Sequence, residues 1–137
     1  MLPTSHLSQA DASAKRILVV DDQAAVLQML AHFLKADGHR VICAVDGFEG
    51  LHTAQTQPVD LVLLDLDMPG MGGFEVCAKL KKGLSTAHIP VLLISARLTV
   101  HDWPEIVAAG ADGFLPKPFS FEQMRGEVRR LLSLAAR

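Results

Sequence analysis

The chain has 137 residues, half of them apolar and a fifth charged, with a net charge of −2. That length suits one domain with a core of its own. The near-neutral balance gives no bulk attraction to nucleic acid, and no apolar run approaches the roughly 18 residues of a membrane span. Neither a direct nucleic-acid partner nor a membrane is therefore expected.

Residues 1–14 are small and polar, without the basic start and apolar stretch of a secretory signal. They read as a disordered leader ahead of one domain over 15–137. The two cysteines, Cys43 and Cys77, show no metal-like spacing and no C-x-x-C pair. They are expected as two buried free thiols in a cytoplasmic protein.

Residues 16–20 (R-I-L-V-V) form a short apolar strand ending at Asp21 and Asp22. Over 24–37, Val26, Leu27, Leu30, Phe33 and Leu34 share one helical face, and Gly38 stops the helix. A second strand covers 40–44. Asp46 and Glu49 form a capping pair for a helix running to Thr56. Residues 59–64 (V-D-L-V-L-L) make a third strand that ends at Asp65, and a loop rich in Gly and Pro follows over 67–73.

A helix over 74–82 is closed by Gly83, and Pro90 introduces a fourth strand over 91–94, ending at Ser95. Proline is tolerated only in a helix's first turn. Pro104 therefore predicts a short helix from Asp102 or Trp103 to Gly110, with 97–101 as loop. A fifth strand covers 112–115. Ser120 and Gln123 form a capping box for the last helix, with Phe119 and Met124 as its staple; Phe121, Met124, Val128, Leu131 and Leu132 point inward. Five near-continuously apolar strands alternating with helices predict an α/β, doubly wound parallel sheet covered on both faces.

Ligands of open α/β sheets bind beyond the carboxyl ends of the strands. At those ends stand Asp21, Asp22, Asp65 with Asp67 just beyond, Ser95, and Lys117 followed by Pro118. Two carboxylates about 4 Å apart repel by about 4 kcal/mol at an effective dielectric of about 20. Such a cluster asks for a cation. Hard oxygen ligands suit Mg²⁺, with Mn²⁺ the alternative. A carboxylate can attack phosphorus, and phosphoryl transfer needs little beyond positioning and charge on the equatorial oxygens. The cation, the Lys117 ammonium and the Ser95 hydroxyl can supply those contacts.

The segments V-V-D-D (19–22), L-L-D-L-D-M-P-G-M-G-G (63–73), L-I-S-A (93–96), A-G-A-D-G-F (109–114) and K-P-F (117–119) together resemble the receiver domains of bacterial two-component response regulators. The resemblance spans about 16–134. It implies a flavodoxin-like strand order 2-1-3-4-5, phosphorylation of Asp65 by a histidine kinase or phosphotransfer protein, and no catalysis beyond the domain's own phosphorylation and dephosphorylation. It implies Mg²⁺ held by Asp22, Asp65 and the Asp67 backbone carbonyl, with Asp21 helping through water, and a cis Lys117–Pro118 bond. It also implies a switch in which Ser95 moves to the phosphoryl group and Phe114 turns inward. That switch would alter the face made by the fourth helix, fifth strand and last helix, which serves a partner, an output domain or a phosphorylation-dependent homodimer.

Three positions vary from the family pattern. Serine stands for the commoner threonine at 95, Phe114 stands where tyrosine is frequent, and Gly72 replaces a frequent aspartate. Asp67 and Arg97 lie two residues beyond Asp65 and Ser95, where the resemblance places them beside the path of hydrolytic water; an ion pair there would slow phosphoryl loss. The alternative is two solvated charges. Trp103 is either an exposed partner contact or a cap on the core. Arg125, Arg129 and Arg130 form a basic stripe, either solvated or facing an acidic partner. The six histidines show no ligand spacing, and Met68 and Met71 are expected to pack around the acceptor loop.

Two other functions compete. D-L-D at 65–67 also resembles the nucleophile motif of haloacid dehalogenase-like phosphatases, although there the acidic metal pair follows the motif rather than preceding it. A receiver used only for docking, without phosphorylation, is the second. The residues up to Arg137 leave a stand-alone regulator and a part of a longer chain equally open.

Overall fold

The computed structural model describes residues 14–135. Except for Ala14, the expected leader lies outside them. Five strands alternate with five helices: β1 (Arg16–Val20), α1 (Ala24–Ala36), β2 (Arg40–Ala44), α2 (Gly47–Thr56), β3 (Leu61–Asp65), α3 (Gly73–Lys82), β4 (Val91–Ser95), α4 (Trp103–Ala108), β5 (Gly113–Pro116) and α5 (Phe121–Ala135). All strand pairs are parallel, in the order β2-β1-β3-β4-β5. This is the doubly wound α/β sheet expected from the apolar strands.

The period-2 alternation of the strands divides the core in two. Ile17, Val19, Leu61, Leu63, Leu92, Ile94 and Leu115 pack under α1 and α5, against Leu27, Leu30, Leu34, Met124, Val128 and Leu131. Leu18, Val20, Val62, Leu64, Val91 and Leu93 face the other way, under Val76, Cys77, Leu80 and Ile106 of α3 and α4. β1, β3 and β4 are covered on both sides and almost wholly buried, which is why their sequences are apolar without alternation.

Local chemistry sets the ends of the helices. Asp46 accepts the Glu49 amide at 2.8 Å, one half of a capping box. Ser120 and Gln123 complete both halves, at 3.1 and 2.8 Å. Gly38 takes φ 93° after α1, a left-handed turn that residues with a Cβ avoid. Gly83 ends α3 with an extended backbone instead. α4 starts at Trp103 with Pro104 in its first turn, as expected. It ends at Ala108, and a 3₁₀ turn over Val100–Asp102 occupies part of the expected loop.

Three expectations change. β3 begins at Leu61 rather than Val59 and includes Asp65, and β5 runs from Gly113 to Pro116. Cys77 is fully buried, but Cys43 is exposed. Cys43 lies on β2, an edge strand, in a hollow of about 490 Å³ beside Leu27, Gln28 and Lys35 of α1, so only one side of it is covered. The basic stripe of α5 is also divided. Arg125 pairs with Asp37 at 2.8 Å, and Arg130 pairs with Glu127 at 2.9 Å.

Candidate functional site: an acidic cluster at the carboxyl edge of the sheet

The register brings the strand ends level. Val20 lies beside Leu64, Asp65 beside Ile94, and Ser95 beside Pro116. Backbone bonds carry the alignment past the strands: Asp21 N donates to Ala44 O at 3.1 Å, Leu66 N to Ile94 O at 2.9 Å, and Lys117 N to Ser95 O at 2.9 Å. Residues spread over almost a hundred positions thus converge on one edge.

Asp21, Asp22 and Asp65 each direct a carboxylate oxygen into a group whose atoms lie within 4.8 Å of one another. Asp21 and Asp65 are buried and Asp22 is exposed. Asp21 accepts the Gln23 amide at 2.9 Å, and Asp65 accepts the Asp67 amide at 3.1 Å. The Lys117 ammonium stands 3.6 Å from Asp65 and 3.8 Å from Asp21. One ammonium against three carboxylates leaves an excess of negative charge in a pocket of oxygen donors, which fits a small hard dication. Burial pushes the carboxyls of Asp21 and Asp65 above the usual range, although the amides and Lys117 pull the other way. The Lys117–Pro118 bond is cis.

Asp67, expected among the clustered acids, turns its carboxylate elsewhere. It accepts the Ser95 hydroxyl at 3.0 Å, the Ala96 amide at 3.0 Å and the Arg97 Nε at 3.0 Å. Burial alone would raise its carboxyl. The Ala96 amide, Arg97 and Ser95 together bring it below the usual range. The Asp67–Arg97 pair is therefore formed, with the Arg97 side chain 76% exposed. Ser95 is fully buried, and its hydroxyl faces Asp67 rather than Asp65. Sequence spacing pairs Asp67 with Arg97 but gives no sign that Asp67 also takes the Ser95 hydroxyl.

Glycine allows this crowding at one point. A Cβ on Gly73 would lie 2.8 Å from Leu66 Cα and 2.9 Å from the Asp65 carbonyl oxygen, so α3 can begin directly behind the loop only with glycine there. Gly72, where the family pattern differs, has open space around it. Met68 and Met71 are buried around the loop as expected. Phe114 is half-buried and packs with Leu98, Ala109 and Ala111 against the α3–α4 core. Trp103 is 49% exposed, which favours a surface role over a core cap. Sequence reasoning missed an apolar hollow of about 400 Å³ next to Lys117, lined by Val26, Met29, Pro118, Phe119 and Phe121. Its signal is the apolar run Pro118, Phe119 and Phe121 after Lys117, in which Phe119 reads as a helix staple and Phe121 as an inward residue.

Fold and site together define a single-sheet α/β module with an acidic, cation-accepting pocket at a carboxyl edge. The family described as response regulator receiver domain matches residues 17–129, and the chain belongs to it. It is a receiver module of the two-component type, a phosphoacceptor signalling switch. Over 118 residues it is 42% identical to the DNA-binding dual master transcriptional regulator RpaA of Synechocystis sp., covering 85% of this chain and 48% of that protein. The chain spans about half the length of the curated relatives it matches.

Among solved structures, the chemotaxis protein CheY4 of Vibrio cholerae superposes with a TM-score of 0.82 at 32% identity, covering 87% of this chain and 99% of that one. The response regulator TrrA of Thermotoga maritima, in complex with Mg²⁺ and beryllofluoride, gives 0.76 at 32% identity, covering 85% and 98%. Among the described residues no helix is long and apolar enough to cross a membrane.

Proposed function

We propose that Asp65 is the phosphoacceptor of this receiver. The observation that supports this most directly is the position of its carboxylate. It ends the central strand, beside Asp21 and Asp22 and within 3.6 Å of Lys117. Asp22, Asp65 and the Asp67 backbone carbonyl would hold Mg²⁺, with Asp21 acting through water. The ion neutralises the acids and the incoming phosphoryl oxygens when bound. Mg²⁺ is favoured over Mn²⁺ by the complex of the relative TrrA. Asp65 then attacks phosphorus as a carboxylate, and the leaving group departs on the opposite side. Lys117 would meet one equatorial oxygen, and the Ser95 hydroxyl, once turned away from Asp67, another.

A histidine kinase or phosphotransfer protein would be the donor, and the domain itself would catalyse only its own phosphorylation and dephosphorylation, in the cytoplasm. Movement of Ser95 would make room for Phe114 and alter the α4–β5–α5 face, where Trp103 is exposed, to govern a partner, an output domain or a homodimer. The Asp67–Arg97 pair is read as a cover over the phosphoryl group that slows its loss.

Acetyl phosphate with Mg²⁺ should label the wild type once per chain and leave Asp65→Asn unlabelled. Sustained turnover of a phosphate ester would instead support the phosphatase reading, and failure to label would support a docking-only receiver. Arg97→Ala should shorten the phosphorylated lifetime; an unchanged lifetime would remove the cover from the scheme.

A further inference from the structure

The Ser95 hydroxyl has one proton to donate and two lone pairs to fill, and all are in use. Its proton goes to the Asp67 carboxylate, 3.0 Å from Oδ1 and 3.2 Å from Oδ2. Its oxygen accepts the amides of Arg97 at 3.0 Å and Leu98 at 3.3 Å. The residue is fully buried, so water does not compete. Asp67 in turn gathers the Ala96 amide and the Arg97 Nε, which secures its carboxylate against the start of the β4–α4 loop. A phosphoryl oxygen on Asp65 would require the same single proton. Two acceptors, one at the end of β3 and one in the loop that follows, thus compete for one donor, and the carboxylate already holds it through a charge-assisted bond.

We propose that Asp67 is a positioning residue that holds the Ser95 hydroxyl off the phosphoryl site and so sets how readily phosphorylation turns the switch. The proposal rests on Asp65 as acceptor and Ser95 as the switch hydroxyl. Asp67→Asn keeps the shape and the backbone carbonyl but replaces a charged acceptor with a neutral one. That weakens the hold on the hydroxyl by roughly tenfold.

Beryllofluoride with Mg²⁺ serves as the probe of the phosphorylated form. Asp67→Asn should bind it roughly tenfold more tightly than the wild type, and this gain should vanish when Ser95→Ala is present in both proteins. An equal gain in the Ser95→Ala background would overturn the proposal, because Asp67 would then act on the phosphoryl charge alone. So would the absence of any gain.

A second readout needs no metal. The Hα–Hβ couplings of Ser95 should report one rotamer in the wild type and an average in Asp67→Asn; unchanged couplings would also overturn the hold. If the wild type neither binds beryllofluoride nor labels at Asp65, it is the phosphoacceptor reading that fails. The couplings still decide whether Asp67 holds Ser95.

Discussion

Two lysines meet carboxylates at opposite ends of the same sheet, and they do so differently. Near the amino-terminal edge, Lys81 of α3 donates to Asp112 at 2.8 Å and to the Ile89 carbonyl at 2.7 Å. The same Asp112 oxygen accepts the Val91 amide at 2.8 Å. One cation faces one anion, and the neighbouring backbone uses the remaining capacity. At the carboxyl edge, Lys117 stands 3.6 and 3.8 Å from two carboxylates and a third lies close by. The first arrangement is closed and ties α3 to β4 and the α4–β5 connection. The second is loose and carries excess negative charge. An ion pair that serves the fold satisfies itself, whereas one that serves a ligand leaves charge for the ligand to complete.

The largest test of this contrast is Asp112→Ala. It leaves the Lys81 ammonium and the Val91 amide without their carboxylate. With Asp112 about a third exposed, the loss should be about 2 kcal/mol in urea unfolding. Labelling by acetyl phosphate should persist in that variant. If labelling disappeared while the fold held, the two ends would not be independent.

Magnesium should act only at the open end. At ten times its dissociation constant it should stabilise the wild type by about 1.4 kcal/mol, visible as a rise in Tm. Asp112→Ala should show the same increment, and Asp22→Asn should lose most of it. A smaller effect is expected from Asp65→Asn without metal. Removing one buried member of the acidic group should stabilise the fold by about 1 kcal/mol, since burial already disfavours its charge. Destabilisation by this variant would contradict the idea that the site stores repulsion.

The smallest effect concerns the exposed pair of Asp37 and Arg125. Arg125 holds the Asp37 carboxyl below its usual range. The folded value lies below the unfolded one, so the pair's contribution is present above the ordinary carboxylate pKa and lost as pH falls through the folded value. Arg125→Ala should therefore remove a slight acid-side loss of stability in urea titrations, with no change near neutral pH in the slope against pH.

Much of this molecule was legible in its residues. The apolar runs of β1, β3 and β4 stated that they are buried on both faces, because only a doubly covered parallel strand tolerates no alternation. The box of Ser120 and Gln123 and the first-turn Pro104 marked helix starts through local bonds that need no tertiary context. Asp21, Asp22, Asp65, Ser95 and Lys117 were identifiable as strand-end residues, and parallel topology alone brings such ends to one edge.

The tertiary structure decided what spacing could not. Cys43 is exposed because β2 is an edge strand, and strand order depends on packing between distant segments. Arg125 lost its place in a common stripe because its partner, Asp37, comes from a distant segment, whereas Arg130 pairs with Glu127 three residues away on its own helix, a contact that spacing alone allows. Asp65 and Asp67 are the sharpest case. Two residues apart in sequence, their carboxylates diverge, one into the acidic cluster with Lys117 and the other onto Ser95 and Arg97. The sequence determined that one acid ends the strand, that the other follows two residues on, and that the second can meet Arg97. Only the folded loop, with the Ala96 amide and the Ser95 hydroxyl facing it, decided that Asp67 also takes the switch hydroxyl.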